Sequence, residues 1–279
     1  MSTTNLFQAT IDQQDFLIMT HRGLWGGNII QNTRQAADLA YRAGSDIVEV
    51  DVCRSKDGVY YLFHDGGEEA LLGRAEHFSQ WEAVDLDQVS LRNSLGQLSG
   101  YFLERLEDFL TWLPKGALVN LDRSWPYFKD PSYFDILQAS GKINQLLIKS
   151  PVNPAILQAF SDHGSSLNLP YMPIISRQSD LETVAKQEGL NLLGLELIIK
   201  EESDLLAPDF IQACHRQGLF LMANAEKLGQ DYQLFADWDD DRALFSDYAW
   251  ASFLEAGMDI IQTDWPMFLS DFRQSRIKR

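Results

Sequence analysis

His21 and His64 are the side chains best suited to proton transfer in this chain. Each imidazole titrates near neutrality, so a pair facing one reacting centre can supply a general acid and a general base. His21 follows the apolar run FLIMT at 16–20, and His64 lies at the end of GVYYLFHD at 58–65. Taken singly, such a histidine is equally at home as a hydrogen-bonded interior residue. Carboxylates accompany them. Glu49 and Asp51 stand two apart in DIVEVDV at 46–52, so in an extended strand they point to the same face. That arrangement is costly unless a cation or an arginine sits between them. Asp122, just past ALVNL at 117–121, adds a third acid at the end of another run. Three such groups make a hard oxygen site for Mg²⁺ or Ca²⁺, with waters and substrate oxygens completing the shell, and no soft ligand is offered. The competing reading pairs these acids with Arg22 or Lys149, or uses them as helix caps. His77, His163 and His215 lie in loop-like or helix-like stretches and read as surface or packing residues.

Residues so placed need a scaffold that brings several strand ends to one face. Eight short runs rich in β-branched and aromatic residues recur, at 16–20, 46–52, 117–121, 145–149, 171–175, 192–199, 219–223 and 259–263. Segments with apolar residues at three- and four-residue spacing lie between most of them, such as 33–44, 153–164 and 208–218, all of which stop at glycine. Strand and helix therefore alternate. Eight units in 279 residues predict a single α/β domain over 1–279, a (β/α)₈ TIM barrel, with a doubly wound open sheet as the lesser option. One run breaks the alternation. Only SKDG separates GVYYLFHD at 58–65 from DIVEVDVC, far too few residues for a parallel crossover, so the second run must fold back as an antiparallel arm. Folding about Lys56 and Asp57 puts His64 opposite Glu49, within one residue. Residues 66–100, broken by GG, LLG, NSLG and LSG, are expected to form an insertion over the rim at the C-terminal end of the strands, where active sites of this fold sit. The basic tail at 273–279 reads as a solvated terminus.

Forty acidic against 23 Lys and Arg residues leave a net charge of −17. Such a chain lacks the clustered cations needed to grip nucleic acid or an anionic membrane, so neither is an expected partner. An anionic ligand would need a local positive spot inside that negative field. Cys53 and Cys214 make neither a disulfide framework nor a metal-finger spacing, which fits a reducing compartment. The first twenty residues do not read as a signal peptide, and no stretch approaches the roughly 18 apolar residues of a membrane span. A cytoplasmic protein is the expectation.

THRG at 20–23, NT at 32–33, AGSDIVEVDVCRSKDGVYYLFHD at 43–65, LERLEDFL at 103–110, VNLD at 119–122 and DIIQTDWP at 259–266 together resemble, in order and spacing, the glycerophosphodiester phosphodiesterase family. The resemblance implies a TIM barrel that hydrolyses glycerophosphodiesters to glycerol 3-phosphate and an alcohol with a divalent cation. The architecture is similar to that of phosphatidylinositol-specific phospholipases C and the spider-venom type of phospholipase D. It implies His21 and His64 as the catalytic pair, Glu49, Asp51 and Asp122 as metal ligands, and Arg22 as the phosphate holder. It also implies attack by the substrate's own 2-hydroxyl through a cyclic phosphate. Which histidine is the acid stays open. The chain departs from the family pattern in several places. Ile30-Gln31-Asn32-Thr33 stands for P-E-N-T, Asn120-Leu121-Asp122-Arg123-Ser124 for N-x-E-x-K, Glu104-Arg105-Leu106-Glu107 for P-T-L-E, and Met222-Ala223-Asn224 for part of W-T-V-N. Lys149 is expected to replace the lost lysine charge beside the phosphate. Trp265, where the family has an aromatic residue, is expected with 66–100 to wall the mouth and favour small substrates, unless it packs under the C-terminal helix. A phospholipase or other phosphodiesterase of the same superfamily, and a catalytically silent ligand-binding barrel, are the remaining readings.

Overall fold

The structure is a computed structural model and describes residues 6–200, 203–227, 238–246 and 248–277. Its strands are β1 (Leu17–Thr20), β2 (Ile47–Arg54), β3 (Tyr60–Leu62), β4 (Ser90–Arg92), β5 (Leu98–Phe102), β6 (Glu104–Arg105), β7 (Leu118–Asp122), β8 (Leu146–Pro151), β9 (Pro170–Ile175), β10 (Asn191–Leu192), β11 (Gly194–Leu197), β12 (Phe220–Asn224) and β13 (Ile260–Thr263). Eight of them, β1, β2, β7, β8, β9, β11, β12 and β13, pair in parallel and close when β1 joins both β13 and β2. These are the eight runs read from the sequence, and the fold is a (β/α)₈ barrel.

Both faces of each barrel strand are covered, which is why the runs are almost continuously apolar rather than alternating. Residues of one parity, such as Leu17, Met19, Ile47, Leu118, Leu147, Met222 and Ile260, meet inside the barrel. The other parity, such as Ile18, Val48, Val50, Val119, Leu121 and Ile261, packs outward under the helices. The N-terminal helix Leu6–Ile11 places Phe7, wholly buried, in the inner cluster and plugs the N-terminal end of the barrel. The other end is left for polar residues.

Helix starts follow their local signals. Thr33 caps Arg34–Arg42 by accepting from Ala36 N, and Asn153 caps Pro154–Gly164 through Ala155 N at 2.9 Å. Gly23, at φ +73°, lies so close to that first helix that a Cβ would come within 2.7 Å of the Ala36 carbonyl carbon. The loop after β1 is thereby pressed onto the helix.

The antiparallel arm forms as expected. Ser55 N donates to Val59 O at 2.8 Å, and Gly58, at φ +95°, closes the turn with its N–H on Ser55 O. Val52 lies opposite Leu62, and Phe63 N donates to Asp51 O at 3.0 Å, so His64 comes level with Val50, one residue from the expected Glu49. Residues 66–100 contain a π-helical turn (Glu68–Leu72), a short helix (Ala83–Leu86) and most of the β4–β5 ribbon, which ends at Phe102. They pack on the outer face of the arm, where Phe63 stacks on Phe78 at 4.8 Å. Buried Glu68 ties the segment down by accepting from Gly66 N and Phe78 N. Among the described residues no helix is long and apolar enough to cross a membrane.

The last helix, Pro266–Ile277, is locked to the barrel by buried Arg273. Its guanidinium donates to Asp46 Oδ2 (2.5 Å), Phe16 O (2.9 Å) and Gly44 O (3.2 Å), while Asp46 Oδ2 also accepts from Ile18 N at 2.7 Å. Burial raises the Asp46 carboxyl and Arg273 draws it back. Removing one partner strands the other charge, so Arg273→Ala should lower unfolding free energy by about 3–5 kcal/mol. Denaturant melts check this, and a loss below about 1 kcal/mol, the worth of an exposed pair, would disprove the clamp.

Candidate active site

Along each barrel strand the inward side chains change from apolar to polar toward the C-terminal end. On β2 the inward series is Ile47, Glu49, Asp51, and on β7 it is Leu118, Asn120, Asp122, with Glu49 beside Asn120 and Asp51 beside Asp122. Lys149 on β8, Glu196 on β11, Asn224 on β12 and Gln262 on β13 complete the buried polar layer, with Glu226 just beyond β12. Lys149 Nζ lies 2.8 Å from Glu196 Oε2 and 3.2 Å from Asp122 Oδ2. Burial works against its charge, but Asp122, Glu196 and Glu49 together hold its pKa above the usual lysine value. Burial also opposes ionisation of Asp122, and Lys149 with the Arg123 N–H outweighs it, keeping that acid ionised.

Three residues of this end adopt the left-handed conformation without being glycine: Arg22 (φ 56°), Asn32 (φ 57°) and Arg123 (φ 51°). Each turn aims a group at an acid. Arg22 N donates to Glu49 Oε2 at 2.7 Å, and Arg22 Nε stands 3.1 Å from Asp51 Oδ2 as an ion pair. Asn32 clasps Asp51 from both sides, Nδ2 donating to the carboxylate (3.0 Å) and Oδ1 accepting the Asp51 N–H (2.9 Å). Arg123 Nη2 reaches Asp65 Oδ1 at 2.6 Å and joins the arm's end to β7.

The two histidines meet opposite electrostatics. Burial disfavours charge on His21, but its Nδ1 is 3.0 Å from Asp264 Oδ1, and that bond with the charges of Glu226 and Glu49 lifts its pKa to about 9. For His64 burial dominates and only part of it is offset by Asp51, so its pKa falls below the ordinary value. Near pH 7 one imidazole is protonated and the other neutral. Asp264 is itself anchored: its N–H donates to Asp240 Oδ2 at 2.8 Å, and Asp240 Oδ1 accepts from Thr263 Oγ1 and Trp250 Nε1.

Both histidines line a cavity of roughly 920 Å³ at this face, together with Arg22, Trp25, Arg123, Glu196, Lys200, Lys227 and Asp264. Pro151, Val152, Ile174 and Ile198 give it an apolar side. Three groups expected in its wall are not among its lining residues. Lys149 is fully buried, and of its two acidic partners, Asp122 at 3.2 Å and Glu196 at 2.8 Å, only Glu196 lines the cavity. Trp265 is not in the wall; it sits at the start of the last helix, 40% exposed, its ring 6.1 Å from that of Phe268, and Trp25 is the tryptophan that lines the cavity. No residue of 66–100 lines it either, since that segment is drawn to the apolar outer face of the arm.

Among the described residues no three His, Cys, Asp or Glu side chains converge closely enough to hold a metal ion as they stand, because Asp51 and Asp122 turn oxygens to Arg22 and Lys149. The donor set nevertheless suits a hard cation. Burial and then the charge of Asp51 push the Glu49 carboxyl up to about 8, against the pull of His21 and Lys149. Asn120 Oδ1, beside Glu49 in the register, is buried without a hydrogen-bond partner.

Several of these residues escaped the sequence reading. Asp264 directly follows an apolar strand, and Glu196 is a lone acid within LLGLELII, so the strand-end rule and the buried-charge rule could have flagged them. Nothing local marked Trp25 or Arg123.

A family model described as glycerophosphoryl diester phosphodiesterase matches residues 21–266. No curated protein matches the chain. Among solved structures, a glycerophosphoryl diester phosphodiesterase from Parabacteroides distasonis is 19% identical, with TM-score 0.75 over 98% of this chain and 93% of that one. One from Agrobacterium tumefaciens is 18% identical, with TM-score 0.66 over 92% and 99%. An Oleispira antarctica phosphodiesterase, solved with the product sn-glycerol-3-phosphate, is 16% identical, with TM-score 0.62 over 94% and 97%. At these identities the structures establish a shared fold, and the family model, spanning most of the chain from His21 to the turn after the last barrel strand, establishes more: this chain belongs to the glycerophosphoryl diester phosphodiesterase family, enzymes that hydrolyse glycerophosphodiesters.

Proposed function

We propose that the cavity hydrolyses small glycerophosphodiesters to glycerol 3-phosphate and an alcohol, with His64 as general base and His21 as general acid. The observation that carries this reading is that two histidines, His21 held by Asp264 at 3.0 Å and His64 at the end of the arm, line one cavity whose other groups include Arg22, Arg123 and Lys200; the raised pKa of His21 and the lowered one of His64 fit an acid and a base. Neutral His64 takes the proton of the attacking hydroxyl. That oxygen, the substrate's own 2-hydroxyl, bonds to phosphorus as the bond to the leaving oxygen breaks, and His21 gives the departing alcohol its proton. Water then opens the cyclic phosphate with the roles reversed, neutral His21 taking the water's proton and protonated His64 returning its own to the 2-oxygen, which yields glycerol 3-phosphate. Arg22 and Arg123 hold the nonbridging oxygens. Arg22 is held by Asp51 and by Gln31, whose Oε1 accepts from Nη1 at 2.9 Å. Glu49, Asp51 and Asp122 would hold a divalent cation, Mg²⁺ or Ca²⁺, which when bound supplies further positive charge against the phosphate oxygens. Trp25 and the isoleucines of the opposite wall exclude water around the diester. The product seen in the Oleispira protein is the one this reading assigns here. Cys53 and Cys214, both buried and unpaired, support a reducing, cytoplasmic setting.

Replacing either histidine with Ala should lower kcat by about 10²- to 10⁴-fold, and replacing both by much less than the product of the two losses. The profile of log kcat/KM against pH should rise through the His64 pKa, below the usual histidine value, and fall only near pH 9, where His21 loses its proton. His64→Ala should remove the acidic limb, and a variant that turns over normally would refute the two-histidine mechanism.

Asp264→Asn removes a group that raises the His21 pKa, so the alkaline limb should move toward lower pH, with kcat falling most above neutrality. An unmoved limb would mean that Asp264 only packs against the ring.

Chelation should abolish glycerol 3-phosphate release, and Asp51→Asn should raise the metal concentration needed for half-maximal rate at least about tenfold, a change of about 1.4 kcal/mol in metal affinity. Full activity after chelation would rule out the cation.

A further inference from the structure

A second pocket, roughly 350 Å³, lies between the loop after β1 and the 66–100 segment. It is joined to the catalytic cavity twice. Trp25 lines both, and Gln31 in the side pocket accepts the 2.9 Å hydrogen bond from Arg22, which lines the main cavity. Ile29, Ile30 and Leu71 make it apolar, and Arg92 brings a guanidinium that packs over Gly73 with its Nε buried and whose Nη1 makes only a 3.5 Å contact with Gly96 O. Among the described residues, no Asp or Glu lines this pocket, in a chain that carries 40 of them. A trimethylammonium or ammonium group would find a repelling cation, no carboxylate and a single aromatic face instead of a cage. A hydroxylated ring or chain would find the opposite: guanidinium N–H donors for its oxygens and apolar walls for its carbons, at a size typical of small-ligand pockets. Gln31 keeps this boundary uncharged where a glutamate would add a negative charge.

We propose that this pocket receives the leaving alcohol and selects an uncharged polyhydroxylated one, such as inositol or glycerol, over choline, an inference that rests on the hydrolytic reading above. The loop that forms it begins at His21, the group assigned above to protonate the departing oxygen. Arg92 is the specificity-determining residue, and Trp25 is the wall shared by the two halves of the substrate.

The test is steady-state kcat/KM of the full chain with Mg²⁺, read as glycerol 3-phosphate release from glycerophosphoinositol and glycerophosphocholine. The inositol substrate should be preferred by about tenfold or more, the selectivity expected of a site that hydrogen-bonds its substrate's hydroxyls. Arg92→Gln should bring the ratio close to unity. Ser94→Asp, on the exposed turn at the pocket's edge, should shift it several-fold toward choline. If Arg92→Gln fails to fold, as judged by its melting curve, the Ser94→Asp ratio decides alone. Equal kcat/KM for the two substrates in the unmodified protein, or a ratio that survives in the folded variants, would overturn the subsite. Release of glycerol 3-phosphate from neither diester would overturn the hydrolytic reading itself, a result distinguishable from loss of selectivity.

Discussion

Compensation of buried carboxylates is the constraint on which this structure depends. Glu49, Asp51 and Glu196 are buried at the polar end of a closed barrel, with Asp122 mostly so, and there each uncompensated charge costs several kcal/mol. Lys149 answers Asp122 and Glu196 from below, and Arg22 with Asn32 answers Asp51 from the loop above. Glu49 receives the Arg22 N–H and, among the described residues, no ion pair, so burial beside Asp51 raises its carboxyl despite the charges of His21 and Lys149. The polar layer can exist only because the plug of Phe7 and the inner apolar cluster seal the other end.

Backbone strain is concentrated in the same place. Three of the four described non-glycine residues with left-handed φ, Arg22, Asn32 and Arg123, surround the acids, and each is held by the bonds it makes there. Such conformations persist where surrounding contacts over-determine them. The turns convert ordinary strand-end loops into donors aimed inward, which side chains on regular strands cannot do alone.

The protein as a whole is strongly anionic, yet the cavity wall carries Arg22, Arg123, Arg177, Lys200 and Lys227 beside a protonated His21, against three acids, Asp180, Glu196 and Asp264. At physiological salt, charges beyond about 8 Å are largely screened, so an anionic phosphodiester inside the cavity responds to this local set rather than to the net charge. The same surface discourages adsorption to anionic polymers. Local and net charge can thus differ in sign, because they act over different distances.

The eight strands and the antiparallel arm were legible in the sequence because local rules determine them. Buried parallel strands must be apolar on both faces, and four residues between DIVEVDVC and GVYYLFHD leave no room for a crossover. The pairing of His21, His64, Glu49, Asp51 and Asp122 at one end was legible too, because strand direction in a barrel puts every C-terminal strand end on one face. Opposite protonation of the histidines was not, since it comes from Asp264, hundreds of positions from His21, and from burial that no spacing reveals. Lys149 and Trp265 look alike in sequence to groups that face a substrate. Whether a strand-end side chain reaches the cavity or is captured beneath it depends on its neighbours across the barrel, such as Glu196 for Lys149, and those are fixed only when the sheet closes. The sequence by itself therefore determined the elements and the kinds of chemistry available, whose causes are local. The tertiary structure alone decided which charges compensate one another and which residues line the wall, because electrostatics and packing depend on distances that the chain acquires only on folding.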